Sequence, residues 1–435
     1  MSDTANVVKA GPTKEFFIEM LISDISLQEA ITELVDNSFD AAKKIGGMAR
    51  YDGLEITLQL SDEAFAITDN CGGMPVETAR NVAFRFGRPK GAVRLSDYSV
   101  GRFGVGMKRA MFKIGSHFDI VSRTNTSHFE IDLDVDEWST KTEWDFEFTS
   151  VQEDSVQSEP AGTQIRITKL HDTVRQDVTA TQWCEALYQH IAEVMEVPLS
   201  RGLSIKLNDQ SITPQTSEIL FDAENGTFTP ATDVLSLDGV EVKLIAGVGD
   251  PDRYRAGWSI YCNGRLLLGH DKGQFTGWGE NGVPLYHGEF SRFRGYVFFE
   301  AEDPTKLPMN TTKSGVDVES KVYRGVKLVM QGMARGVIDY LNALNNEIGK
   351  EEQLLLPIVE HAEHKIVRDV VSNDKMESHP FTFTRYVPKV SRVQRIQYDV
   401  DRDRADTAKR ALGVTSLKDV GLRTFEYYYH RECED

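Results

Sequence analysis

The stretch AITELVDNSFDAA, residues 30–42, decides how the rest of the chain reads. On a helix, Glu33 and Asn37 lie one turn apart, as do Asp36 and Asp40, so acidic and amide groups form a polar strip flanked by Ile31, Leu34, Val35 and Phe39. Carboxylates crowded on a helix with apolar flanks repel one another and lose hydration unless a cation or polar ligand offsets the cost. The strip therefore suggests a buried metal and water site, against the plainer reading of a solvent-facing acidic face.

Two later segments favour the first reading. A strand expected over 64–68 runs into Asp69-Asn70-Cys71-Gly72-Gly73-Met74-Pro75, which sets Asp69 at a strand end beside glycines that let a ligand approach the backbone. A tight hairpin turn would use the same glycines. Residues 84–106, FRFGRPKGAVRLSDYSVGRFGVG, form a long, locally basic loop leading into a helix expected over 107–114. Loops of this length are usually functional. Gly101, Gly104 and Gly106 just ahead of a helix, with Lys108 behind them, supply free backbone N–H groups, a helix N-terminus and an ammonium, the parts of an anion cradle.

Composition narrows the class. A length of 435 residues suits about two or three domains, and 40% apolar with 27% charged residues is ordinary for a globular chain. No apolar run approaches the roughly 18 residues that span a bilayer, and MSDTANVVKAGPTKEFF lacks a secretory layout, so a cytoplasmic location is expected. Cys71, Cys184, Cys262 and Cys433 make no CxxC pair, which argues against a disulfide framework or zinc site. A formal net charge of -18 opposes attraction of the whole surface to nucleic acid, while leaving room for a local basic groove.

Outward from the motifs, residues 1–26 read as an N-terminal arm whose FFIEMLI segment packs on its own domain or on a second subunit. Strands are expected over 54–60, 117–122, 128–133, 144–149, 163–167 and 203–207, and a helix over 181–195. The strand at 163 follows Ala161-Gly162, where the Thr163 hydroxyl either reaches a phosphate or caps a turn. Residues 208–235 read as a connector. A second domain over 236–346 shows strands at 240–245, 258–268 and 295–300, then the loop DPTKLPMNTTKSGVD and a helix over 318–344. Lys313 stands in that loop among small polar residues. From 347 to 435 the chain reads as a charged helical extension, clearest over 357–371. His361 and His364 lack the further ligands a closed metal site needs.

Taken together, the acidic helix, the Asp-Gly strand end and the glycine loop resemble the GHKL ATPase superfamily across about residues 30–170. The second domain looks like the transducer of its gyrase, MutL and microrchidia branch, which sets it apart from the histidine kinases. The resemblance implies an α+β chain: a GHKL (Bergerat) sandwich of mixed sheet and helices over 27–207, an α/β transducer-like domain, and the helical extension. It also implies ATP and Mg²⁺ as ligands. Glu33 matches the general base and Asn37 the magnesium ligand; Asp69 matches the acceptor of the adenine amino group. Lys313 resembles the transducer lysine that reaches the terminal phosphate, and is the second catalytic residue. The implied ATP-binding set is Asn37, Asp40, Asp69, Gly73, Met74, Gly101, Gly104, Val105, Gly106, Lys108 and Thr163. One position departs from the family's Asp-x-Gly-x-Gly: Cys71 replaces the first glycine, and its side chain either narrows the adenine pocket or points away. The expected function is an ATP-driven conformational switch that forms a homodimer and acts on DNA, with an ATP-gated chaperone or scaffold for a protein effector as the rival and no membrane role.

Overall fold

A computed structural model describes residues 11–87, 98–100, 104–154, 159–222, 228–310, 313, 315–348, 350, 353–373, 376–383 and 396–433. The chain divides into two compact units, Met1–Thr384 and Arg385–Asp435.

The opening helix runs Leu27–Gly46, longer at both ends than the polar strip that signals it. Its start is a capping box: Ser26 Oγ accepts from the Glu29 N–H at 3.2 Å, and the Glu29 carboxylate accepts from the Ser26 N–H at 2.8 Å. Gly47, at φ +62°, ends it. Strands β1 (Glu55–Leu60), β2 (Phe65–Asp69), β3 (Gly115–Arg123), β4 (His128–Asp134), β5 (Ser150–Gln152), β6 (Gly162–Leu170), β7 (Ser204–Leu207) and β8 (Gln210–Ser211) build one mixed sheet in the order β5-β4-β3-β6-β2-β1-β7-β8. The β1–β7 pairing is parallel and its other pairings are antiparallel. Residues alternate along these strands between a buried and a more exposed face, and the buried face supplies Ile56, Leu58, Phe118, Ile120, Ile131 and Ile167 to the core shared with the helices.

Residues 144–149 form no strand. Their alternation is real but serves another purpose: Trp144 and Phe146 set their rings edge-on to Trp138 at 5.7 and 5.5 Å, and Phe148 meets Phe129 at 5.3 Å, so the segment packs aromatics and reaches β4 through the Thr149 N–H on the Glu130 carbonyl at 2.9 Å. The expected N-terminal arm is likewise part of the domain from residue 11 onward. Helix Lys14–Ser23 docks Phe17 between Phe86 and Trp144, at 5.1 and 5.2 Å. The buried Lys14 ammonium donates to the carbonyls of Trp138, Lys141 and Glu143 at 2.7, 2.9 and 2.6 Å. Residues 1–10 lie outside the described residues.

The expected connector is structured too. It contains β9 (Glu218–Phe221), β10 (Phe228–Thr229) and most of β11 (Ala231–Leu237). With β12 (Val240–Val248), β13 (Gly257–Cys262), β14 (Arg265–Asp271) and β15 (Phe293–Glu300), β11 forms a second sheet in the order β11-β12-β15-β13-β14. The strand expected over 258–268 is thus two strands. Asn263 and Gly264, at φ +46° and +82°, make the tight turn between them, because an Asn-Gly pair accepts positive φ at both central positions.

This second sheet is covered on both faces, which is why β13 is buried throughout. Leu244, Ile260 and Val297 join the core that includes Tyr323, Val326 and Met330 of the helix Lys321–Asn345. Ile245, Tyr261 and Tyr296 point the other way, to Val197, Val367 and Val371. The last two belong to the region read as a helical extension. There the chain instead forms the short helix Leu356–His361, strand β16 (Glu363–Ile366), helix Val367–Val371 and strand β17 (Thr382–Phe383). Strand β16 pairs with β9 and β17 with β10, so burial of the valines overrides the helical charge pattern. The second unit carries helices Arg402–Leu412 and Leu417–Glu432, joined through Gly413 at φ +65°, with no buried residue on either. Among the described residues no helix is long and apolar enough to cross a membrane.

Candidate active site

The acidic strip is not solvent-facing. Glu33 is 7% exposed and Asp36 is fully buried, and the charges opposite them are protein cations. Lys313 brings its Nζ to 3.1 Å from both Glu33 Oε1 and Asp36 Oδ2. Arg265, the first residue after the Asn263-Gly264 turn, donates from Nε to both Asp36 oxygens at 2.8 and 2.9 Å. One turn on, Asp40 accepts from Lys43 at 2.9 Å and from the Val100 N–H at 2.7 Å. Burial raises the Asp36 carboxyl, but Arg265 and Lys313 outweigh it and hold its pKa below the ordinary value. Burial works against the Lys313 ammonium, yet Asp36 and Glu33 prevail and raise its pKa. Lys43 goes the other way, its pKa lowered because burial outweighs Asp40.

The glycine loop reaches this helix at Gly106, the first residue of the helix Gly106–Ile114. A Cβ at Gly106 would stand 1.7 Å from Glu33 Oε1, so only glycine lets that N-terminus come this close to the carboxylate. Gly104 takes φ +73°, and Val105 is the residue before the helix. Lys108 bonds back to the loop that precedes its helix. Its ammonium is 1% exposed, turned back onto the carbonyls of Ala83 and Gly104 at 2.6 and 2.7 Å, where it pins the loop's end. Asp40 is engaged with Lys43 and Val100. Gly101 lies outside the described residues.

Asp69 closes the other end of the site. Its carboxylate accepts from Ser38 Oγ at 2.6 Å, the Cys71 N–H at 2.9 Å and the Thr163 N–H at 3.3 Å. Burial raises its pKa, against the lowering effect of those donors. Strand register puts Thr163 opposite both Asp69 and Ser122, and the Thr163 hydroxyl meets Ser122 Oγ at 3.0 Å. Ser122 Oγ also accepts from the Met74 N–H at 2.8 Å. Gly72 and Gly73 carry φ of +89° and +69°, whereas Cys71 has no positive φ and packs 2% exposed in the core. The glycine requirement therefore falls on 72 and 73, and Cys71 joins the hydrophobic core. Burial pushes its thiol up to about 12.

Sequence reading did not assign Ser38, Ser122, Lys43 or Arg265 to the site. Ser38 adjoins Asn37 on the marked helix, and the Asn-Gly pair before Arg265 is itself a hairpin signal. Ser122 and Lys43 carry no such local signal.

Asn37 tests the fit of a nucleotide and its metal. Its Nδ2 is buried without a hydrogen-bond partner among the described residues, one turn from Glu33. An amide there can donate to a phosphate oxygen while offering its oxygen to magnesium, a cation that favours a few oxygen ligands and retained waters. The donor set fits. Elsewhere among the described residues His117, Asp119 and Asp132 bring ligand atoms within 4.8 Å of one another on the more exposed side of the first sheet. There His117 already bonds Thr168 and Asp132, and Arg166 faces Asp119.

Residues 25–163 match the family model of the histidine kinase-, DNA gyrase B- and HSP90-like ATPases. The match encloses Glu33, Asn37, Asp69, Gly106 and Thr163, and leaves out Arg265 and Lys313. No curated protein matches the chain.

Proposed function

We propose, on the premise that residues 25–163 are a domain of the GHKL ATPase superfamily, that this protein hydrolyses ATP with magnesium and uses the cycle as a conformational switch. The observation that carries the reading is the 3.1 Å contact between Glu33 of that domain and Lys313, which comes from the chain that follows the second sheet. Glu33 serves as the base that polarises the attacking water. Lys313, shared between Glu33 and Asp36, moves its ammonium toward the transferred phosphoryl group when a triphosphate offers it a third anion. That move frees the Glu33 oxygen for a proton. Asn37 would hold magnesium, which supplies charge neutralisation to the phosphates. Asp69, ordered by Ser38, Cys71 and Thr163, accepts the adenine amino group, with Gly73 and Met74 behind the base. Gly104, Val105 and Gly106 supply backbone N–H groups to the phosphates.

Asp69→Asn is expected to weaken ATP binding by about 1.5 to 3 kcal/mol, through loss of a charged hydrogen bond. Calorimetry returning the wild-type affinity would remove the adenine role from Asp69.

A second copy of the chain is the expected partner of the ATP-bound state, and DNA the expected client, on the resemblance to the MutL and microrchidia branch. The net charge of -18 favours the rival reading, a protein effector gated by ATP. Light scattering after size-exclusion chromatography on Glu33→Gln protein decides the first point: a doubled mass with Mg²⁺ and ATP supports the dimer, and a fixed mass with nucleotide bound excludes it. Binding of duplex DNA that weakens steeply with salt supports the client reading. No binding at low salt moves the effector reading ahead.

A further inference from the structure

Arg265 does more than neutralise Asp36. Besides the two contacts from Nε, its Nη1 donates to the Lys313 carbonyl at 2.9 Å and to its neighbour Leu266 at 3.0 Å. One guanidinium thus ties the helix that carries the base to the backbone of the residue whose ammonium touches that base. Lys313 needs such a tie, because it sits at φ +56°, a left-handed conformation that L-residues seldom adopt. Its loop is closed on both sides by the Met309–Val316 bridge and by the Asn310 N–H donating to Gly315 at 3.1 Å.

Arg265 itself is fixed by the turn before it. Asn263 is fully buried and donates to the carbonyls of Ser99 and Ala301 at 3.3 and 3.0 Å, while its own oxygen accepts from the Ala301 N–H at 2.9 Å. A Cβ at Gly264 would lie 3.6 to 3.7 Å from Val197, Met48 and Phe39, so the hairpin tip is seated against the first sheet's helices. The Lys43 ammonium reaches the Asn263 carbonyl at 3.5 Å.

From these contacts we infer that Arg265 is the positioning residue of the reaction: it sets the Lys313 backbone relative to Asp36, so that the lysine swings between Glu33 and substrate without losing register. The inference rests on the ATPase reading above and adds a residue to it. A plain structural ion pair would use Arg265 for the Asp36 charge alone. A positioning role needs the carbonyl contact as well, and a lysine, with one nitrogen in place of the guanidinium's planar fork, does not reproduce the Nε–Asp36 and Nη1–Lys313 geometry together.

Arg265→Lys is therefore the variant of choice, since it keeps the buried charge and with it the fold. Its kcat is expected to fall about 10- to 100-fold with KM within about twofold of wild type, the mark of misplacement rather than lost binding. Placed on Lys313→Ala, the same change is expected to cost less than about twofold more, because the two act through one ammonium. Wild-type kcat in Arg265→Lys, or an equal loss in both backgrounds, overturns the inference. A readout independent of turnover separates it from the ATPase reading: acylation of the Lys313 amine by an activated ester, followed by peptide mass spectrometry. Lys313, 3% exposed, labels slowly in the wild type and is expected to label several-fold faster in Arg265→Lys. Unchanged labelling overturns the positioning role. Faster labelling in a protein that binds ATP but never hydrolyses it upholds the tie and discards the ATPase reading alone.

Discussion

Glu33→Gln is expected to bind ATP with near wild-type affinity and to lose about 10²- to 10⁴-fold in turnover, the range a positioned general base contributes. The substitution changes little else. Glutamine has the same size, so the close approach of Gly106 to this side chain is kept. Lys313 retains Asp36, fully buried and itself held by Arg265, so the ammonium keeps a carboxylate partner. What disappears is the carboxylate proposed to take a proton from water. Single-turnover hydrolysis beside calorimetric affinity separates the two effects, and near-normal turnover would move the base elsewhere.

The second large effect is structural. Gly73→Ala introduces a Cβ 1.8 Å from the carbonyl oxygen of Arg123 and 3.0 Å from that of Gly162, at φ +69°. Both obstacles are backbone in β3 and at the start of β6, which cannot step aside without breaking the Ser122–Thr163 register beside Asp69. Strain of about 1 to 2 kcal/mol for the left-handed conformation and about 1 to 3 for the overpacking add to a loss of about 2 to 5 kcal/mol in unfolding free energy. Urea denaturation measures it, and an unchanged midpoint would mean that the turn has an alternative path. ATP affinity is expected to fall with it, since the Met74 N–H takes its direction from Ser122.

These two residues were legible for different reasons. Glu33 stood out because acidic groups at helical spacing beside apolar ones are costly, and a costly pattern asks for an explanation. Gly73 stood out because a strand ending in glycines asks for positive φ or close approach, and here it has both. The Cys71 departure was legible as an anomaly but not in its outcome. The positive φ falls on Gly72 and Gly73, and Cys71 is buried in the core, which the local sequence does not specify.

Three segments fold differently from their local pattern. Residues 144–149 alternate like a strand, residues 357–371 carry charge at helical spacing, and residues 208–235 are polar enough for a linker. Tertiary packing overrode the local pattern in each: an aromatic cluster formed with nearby Trp138 for the first, the long-range pairing of β16 with β9 for the second, and the β11–β12 hairpin at the second sheet's edge for the third. The segment 258–268 is the exception, since its Asn-Gly turn was present in the sequence.

The sequence by itself determined the chemistry-bearing helix, the aspartate at the strand end, the glycines before the next helix and a later run of strands, because periodicity and glycine placement are local properties of the chain. Only the tertiary structure decided which cations offset the acidic strip. Asp36 and Arg265 are 229 residues apart in sequence, and Glu33 and Lys313 are 280 apart. Pairing over such separations leaves no periodic trace, since it is set by where two sheets and their helices bring buried charges together and by the cost of leaving any of them alone.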